Sequence, residues 1–185
     1  MLKLSVDEQL HLRTYTIDDA PALFSVINEN RAHLRRWFYW VDSTTKEKHS
    51  LAFIQQAQAA LDAQEGMALG IFHHNTLIGG VGMLDWKTNL KKAQVGYWIA
   101  KPFEGKGIVF RCLKVFISYL FQSLDLNKIE IHFIAENDRS AAVAQRIGAR
   151  IEGVLRESYW MNGRLEDLVI AGILKREWTN NLLLK

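Results

Sequence analysis

Cysteine and proline are almost missing from this sequence: Cys112 is the single thiol, and Pro21 and Pro102 are the two prolines. One cysteine cannot form an internal disulfide and is a poor start for a structural zinc site, so the fold must rest on its core, which suits a reducing compartment. Long apolar runs are missing too. Met1-Leu-Lys-Leu-Ser-Val-Asp-Glu reaches charge within three residues and builds no signal-peptide core, and no later stretch attains the roughly 20 residues of a membrane span. A cytoplasmic chain without membrane association is expected. Nor does one sign of charge dominate: 23 Lys and Arg against 20 Asp and Glu leave a formal net charge of +3, spread along the chain. Strong nucleic-acid binding is therefore not expected, although a cleft for a polyanion is compatible with that charge.

What is present suffices for one sizeable core. The 185 residues are 49% hydrophobic, which predicts a single domain over 1–185. Leu10, Leu12 and Thr14 alternate as an opening strand, and Asp18-Asp19-Ala20-Pro21 reads as a helix start, proline being harmless in a first turn. That helix carries Ala22, Leu23, Val26 and Ile27 on one face; a second helical stretch runs through Leu34, Trp37 and Phe38. Leu51, Ile54, Ala57 and Leu61 have helical spacing up to a stop at Gly66. The period then changes to strands, Ala68 to His73, Leu77 to Leu84 and Ala93 to Ala100, with short links that predict an antiparallel meander. A long amphipathic helix follows from about Gly107 to Gln122, then a strand from Lys128 to Ala135, a short helix from Asp138 to Ile147 closed by Gly148, and two strands flanking Asn162-Gly163. The order β-α-α-β-β-β-α-β-α-β-β predicts a mixed α/β (α+β) fold, a mostly antiparallel central sheet of about seven strands with helices on both faces.

The chemistry concentrates at Gln94-Val-Gly-Tyr-Trp-Ile-Ala-Lys-Pro-Phe-Glu-Gly-Lys-Gly-Ile-Val109. There a strand ends and a glycine-bearing turn feeds directly into a helix. Gly105 and Gly107 let the backbone take unusual dihedrals and let a phosphate come close to its amides, and the helix N-terminus adds a partial positive charge. Taken alone, the glycines are equally explained by the steric needs of a tight strand-to-helix turn. The turn does not match the lysine-bearing nucleotide loop, because no Gly-Lys-Ser/Thr follows.

The run resembles motif A of the GNAT acetyltransferase superfamily, and its wording is similar to the RimL/RimJ-like branch, whose members include ribosomal-protein acetyltransferases. The resemblance continues through Asn137-Asp-Arg-Ser140, Arg146-Ile-Gly148, Glu152-Gly-Val-Leu-Arg156, Asn162-Gly163, Asp167-Leu168 and Leu174-Lys-Arg-Glu-Trp178, and reaches back to Asn30-Arg31-x-His-Leu34 and Trp37. It implies a twisted sheet splayed between its fourth and fifth strands. It also implies an acetyl-CoA site in which backbone groups of Trp98, Ile99 and Ala100 pair with the pantetheine arm. Backbone amides over Glu104, Gly105, Lys106, Gly107, Ile108 and Val109 hold the pyrophosphate, and Asn137 hydrogen-bonds the pantetheine. Departures exist: Glu104 stands where many members place Gln or Arg, Val109 where they place a small residue, and Ala149 where they place an aromatic. No metal takes part.

Acetyl transfer to an amine needs a neutral nucleophile, stabilisation of the oxyanion and a proton for the departing thiolate. An α-amine with a pKa of about 8 demands only a modest base or a water relay. The tyrosine that many GNAT enzymes offer to the thiolate falls at Ala144 here. Ser140, one turn earlier on the same face, is proposed as the acid in the RimL-like branch, and it equally suits a hydrogen-bonding role in the first helical turn. For the base, Glu157, then His132, then Asp167 are candidates, each with a structural reading as ion-pair or strand residue. Asn30, Trp37 and Asp167 are expected on the acceptor side, Trp37 as a pocket wall. Cys112 reads as a small buried hydrophobe rather than a nucleophile. Arg31, Arg35 and Arg36 read as a solvated face that would suit a ribosomal surface. The acceptor implied is the N-terminal α-amine of a ribosomal protein; a small amine (polyamine, aminoglycoside or peptide-like toxin), or a CoA-binding regulator without catalysis, are the alternatives. A homodimer, with the apolar Leu182-Leu-Leu184 as one contact, is a further expectation.

Overall fold

A computed structural model describes residues 1–178, so Leu182 to Leu184 lie outside the described residues. Eight strands form one sheet: β1 (Lys3–Ser5), β2 (Leu10–Thr14), β3 (Met67–His73), β4 (Thr76–Lys87), β5 (Lys92–Ile99), β6 (Lys128–Ile134), β7 (Arg150–Met161) and β8 (Arg164–Leu174). Their spatial order is β1-β2-β3-β4-β5-β6-β8-β7, and every neighbouring pair is antiparallel except β5 with β6. The one strand beyond expectation is β1, whose three residues pair with β2. With Lys and Ser at two of its three positions it carries no period that a sequence reading can detect.

The helices include α1 (Ala20–Glu29), α2 (Arg31–Leu34), α3 (Trp40–Ser43), α4 (Glu47–Asp62), α5 (Ile108–Gln122) and α6 (Asp138–Arg146). They cover both faces. On one face α5 buries Ile108, Cys112, Leu113, Phe116, Ile117, Leu120 and Phe121, a stripe at helical spacing, against Ala93, Val95, Ile129 and Ile131 of the sheet. Each such side chain contributes about 1.5–3 kcal/mol on leaving water, so α5 is anchored without any side-chain cap at its start. On the other face Leu23, Ile27, Leu34, Val41 and Ile54 of α1 to α4 pack with Tyr15, Phe72 and Leu77. The start of α1 is fixed by a paired charge: both Arg13 guanidinium nitrogens reach the buried Asp19 carboxylate at 2.7 Å.

The seam between β5 and β6 is short. Only Lys92 to Gln94 pair with Lys128 to Glu130, after which β6 stays with β8 as far as Ile134, and β5 stays with β4 as far as Ile99. The two strands therefore part over half their length. This is the splay expected between the fourth and fifth strands, renumbered by the additional β1.

Candidate active site

The parted end of the seam opens into a cleft of about 280 Å³. Its walls come from β5 (Tyr97, Trp98, Ile99), the turn into α5 (Phe103, Glu104, Gly105, Gly107, Ile108, Val109, Phe110), α6 with its cap (Asn137 to Arg146), and the α2 region (His33, Leu34, Trp37, Phe38). Ala100 donates its amide to the Ile78 carbonyl at 2.8 Å. Because peptide groups in an antiparallel ladder alternate sides, Trp98 shares that direction, while Tyr97 and Ile99 turn theirs toward the gap. Of the three residues expected to pair with pantetheine, Ile99 alone turns its peptide groups toward the gap, where its backbone also meets the His33 imidazole in a hydrogen bond; the Ala100 amide is already used by β4, and Ala100 lies outside the lining.

Gly105 and Gly107 have φ of 75° and 70°, a region that costs an L side chain about 1–2 kcal/mol. A Cβ at Gly105 would meet nothing within 4 Å, and one at Gly107 would find only Arg146 Nη1 at 3.8 Å. The glycines thus serve the turn's conformation and leave clear space before its amides. Among the described residues the amides of Gly105, Lys106 and Gly107 donate to no protein acceptor, and the first amides of α5 have none within the helix. The arrangement fits an anion of pyrophosphate size. The Lys106 ammonium instead lies 5.4 Å from the Phe103 ring centroid, outside the lining.

Glu104 explains itself once the turn is seen. Its carboxylate lies 2.8 Å from Lys101 Nζ, 2.9 Å from Arg139 Nη1 and 3.8 Å from His33 Nε2, tying the turn to α6 and α2. Burial alone would raise its pKa; the Lys101 hydrogen bond, with His33 and Arg139 nearby, brings it below the ordinary carboxylate value. Burial lowers the His33 pKa, only partly opposed by Glu104, so the imidazole favours its neutral form.

Asn137 caps α6: its Oδ1 accepts the Ser140 amide at 3.1 Å while the residue lines the cleft. Ser140 Oγ in turn lies 2.8 Å from the Tyr97 phenolic oxygen. Trp37 is in the lining.

The remaining candidates stand elsewhere. Asn30 is buried with both ends of its amide engaged, Nδ2 donating to the Val26 carbonyl and Oδ1 accepting the Lys101 amide, each at 2.8 Å; it fastens α1 to the turn after β5 and is not in the cleft. His132 points to the sheet face opposite α5, with Nε2 3.2 Å from Glu130 Oε2, in an ion-pair cluster away from the lining. Glu157 sits exposed on a β7 bulge at φ 51°, and Asp167 Oδ1 accepts its amide at 2.8 Å. Asp167 Oδ1 thus staples that bulge, and the residue is outside the cleft lining.

Tyr97, His33, Arg139 and Arg146 were given no site role from the sequence, although each falls in a motif of the resemblance, yet all line the cleft, as does Phe38. Arg139 and Arg146 did leave a signal: they are seven apart on one helix, hence on one face, and they face the glycine turn. No group of three or more His, Cys, Asp or Glu suited to a metal occurs among the described residues, nor any helix long and apolar enough to cross a membrane.

Residues 9–150 match the family described as Acetyltransferase (GNAT) domain. The chain belongs to the GNAT acetyltransferase family. It is 32% identical over 96% of its length, and 98% of the other's, to the Bacillus subtilis (strain 168) protein named "Putative ribosomal N-acetyltransferase YdaF". It is 25% identical over 89% of its length, and 92% of the other's, to the ribosomal-protein-serine acetyltransferase of Escherichia coli (strain K12). Among solved structures, the microcin C7 self-immunity acetyltransferase MccE in complex with acetyl-CoA and AMP superposes with a TM-score of 0.87 at 26% identity, covering 91% of this chain and 94% of that one. This chain is therefore an acetyl-CoA-dependent N-acetyltransferase of the GNAT fold, and the cleft at the parted seam has the walls and the open amides that such a donor requires.

Proposed function

We propose that this acetyltransferase moves the acetyl group of acetyl-CoA to the N-terminal α-amine of a ribosomal protein, by direct attack in a ternary complex. The observation that carries the acceptor assignment is the likeness, over nearly the whole of both chains, to a protein named as a ribosomal N-acetyltransferase. In this reading the backbone from Gly105 to Val109 cradles the pyrophosphate, while the Glu104 amide is held by the Lys101 carbonyl at 3.2 Å. Ile99 and Asn137 flank the pantetheine arm, Ser140 faces the sulfur, and Trp37 forms a wall of the acceptor pocket. The acceptor enters beside Tyr39, which is exposed and lies 6.1 Å, centroid to centroid, from Tyr159 of β7. Holding amine and thioester together supplies most of the rate. The enzyme works in the cytoplasm, where new ribosomal proteins are available, as a single domain assembled into a homodimer; light scattering on the purified protein tests the last point.

The decisive experiment incubates the protein with acetyl-CoA and either ribosomal proteins or a panel of small amines, and follows thiol release and intact masses. One acetyl group gained at a protein N-terminus is the expected result. Turnover with polyamines or aminoglycosides alone would move the assignment to a small-amine acetyltransferase.

A further inference from the structure

Tyr97 and Ser140 come from opposite walls of the cleft, one on β5 and one on α6, and their hydroxyl oxygens are 2.8 Å apart. The other acceptor near the phenol, the Ser140 carbonyl, is 3.4 Å away, beyond the usual range for an O–H donor. Either hydroxyl can donate across the 2.8 Å contact; the arrangement that serves the cleft is the one in which the phenol donates to Ser140 Oγ. With that lone pair occupied, the serine's own proton is free to point into the cleft. A serine hydroxyl is a weak donor alone; accepting a hydrogen bond from a phenol polarises it and strengthens the one it gives. The position where many GNAT enzymes carry a tyrosine is the buried Ala144 in this chain, so a phenol reaches the same neighbourhood from the sheet side.

We propose that Tyr97 is a positioning residue for thiol release: by donating to Ser140 Oγ it holds the serine proton toward the sulfur that leaves the acetyl group. The inference rests on the proposed acetyl transfer at this cleft. In that reaction the amine lone pair forms the N–C bond and the C–S bond breaks with its electron pair on sulfur. The nitrogen's surplus proton passes to water, and the sulfur, hydrogen-bonded by Ser140 as it departs, takes a proton from water afterward. Amine and thioester give amide and thiol, and neither Tyr97 nor Ser140 changes its protonation state. Burial pushes the Tyr97 phenol up to about 12, so it remains a donor throughout the working range.

The test reads the thiol directly. Tyr97→Phe, Ser140→Ala and the double variant are saturated with CoA, and thiolate absorbance is titrated against matching complexes of desulfo-CoA. A donor aimed at sulfur favours the thiolate, so each single variant should raise the bound thiol's pKa by about one, roughly tenfold in thiolate fraction. The double variant should raise it no further, and CoA affinity by calorimetry should stay within about twofold. An unchanged titration in Tyr97→Phe overturns the proposal, as does an additive double variant or loss of CoA binding in Tyr97→Phe, which would make the tyrosine a packing residue. Wild-type protein that binds CoA yet acetylates no amine would reject the proposed function separately, because the thiol titration does not depend on an acceptor.

Discussion

The two ends of the β5–β6 seam are built from the same strands and treated in opposite ways. At the closed end, three residue pairs of parallel ladder are reinforced by charge. Glu130 lies 3.0 Å from Lys92 Nζ and 3.1 Å from Lys128 Nζ, Lys128 reaches Glu152 at 2.6 Å, and Asp125 takes Lys91 at 2.5 Å and Lys175 at 2.6 Å. At the parted end, the ladder stops, and the peptide groups of Tyr97 and Ile99 face a gap whose far side is α6. A sheet normally satisfies every interior peptide group, since a buried unpaired one costs about 1–3 kcal/mol. Here His33 already hydrogen-bonds the Ile99 backbone, and a ligand or water can complete what the ladder leaves open. The closed end then has a mechanical task, to keep the two strands registered so that the open end holds its width. If so, damage to one end should be read in ligand affinity and damage to the other in stability.

The largest effect is expected at the open end. Gly107→Val places a β-branched residue at φ 70°, at the start of α5 and in front of the open amides. Strain and obstruction together should weaken acetyl-CoA binding about 100-fold, roughly 2.7 kcal/mol, in calorimetry. An affinity within threefold of wild type would show that the turn's amides do not hold the donor.

The counterpart at the closed end is Glu130→Ala, which takes the carboxylate from Lys92 and leaves Lys128 with Glu152 alone. Because those lysines are partly solvated, the loss should be about 2 kcal/mol in urea denaturation rather than the larger values of fully buried pairs, with kcat/KM within twofold. It should also depend on pH. Burial alone would raise the Glu130 pKa, but hydrogen bonds from Lys92, Lys128 and His132 bring it below the ordinary value. A depressed carboxyl contributes its full stabilisation above its unfolded-state pKa of about 4.3, and that contribution fades as pH falls through the folded value. The Tm difference between wild type and variant should therefore narrow from about pH 5 downward; a gap that widens instead would contradict the ion-pair account.

Legibility from the sequence follows the same division. Seven of the strands, the long helix α5 and the glycine turn were all readable, because each depends on local period or on a backbone demand that only glycine meets. What the sequence did not display is where a strand's neighbours stand. His132 carries an imidazole, the side chain most often used as a base, but the alternation of β6 sends it to the face of Glu130. Asn30 and Asp167 carry hydrogen-bonding side chains that look available in one dimension; in three, Asn30 is taken at both ends by Val26 and Lys101, and Asp167 Oδ1 by the Glu157 amide. Tyr97 was hidden for the converse reason: inside a strand motif an aromatic reads as core, and its partner Ser140 is 43 positions away.

A smaller effect separates the cleft from the hairpin beyond it. Ser140→Ala should lower kcat about tenfold, near 1.4 kcal/mol of barrier, whereas Glu157→Gln, exposed on its bulge and outside the lining, should change kcat less than twofold. Steady-state rates with saturating acetyl-CoA decide both, and a tenfold loss in Glu157→Gln would bring the bulge into the acceptor chemistry.

The smallest effect is expected from the residue that most invites a covalent mechanism. Cys112 is fully buried on the core face of α5, in the same cluster as Ala93 and Val95 of β5, directly behind the seam rather than in its opening. Burial pushes its thiol up to about 12; nearby Arg111 lowers it and Asp7 raises it, and neither reverses the direction. At neutral pH the thiolate fraction is then on the order of 10⁻⁵, and the thiolate is the nucleophilic form. An acetyl-enzyme through Cys112 would need both ionisation and a path through packed side chains. Cys112→Ala should leave acetyl transfer within twofold and cost about 1 kcal/mol of stability, since one sulfur's volume is lost from the core. Alkylation of the native wild-type protein should proceed only on unfolding. Rapid labelling of the folded protein, with loss of activity in step, would place a reactive thiol at the donor site and break the distinction between the seam's opening and the core behind it.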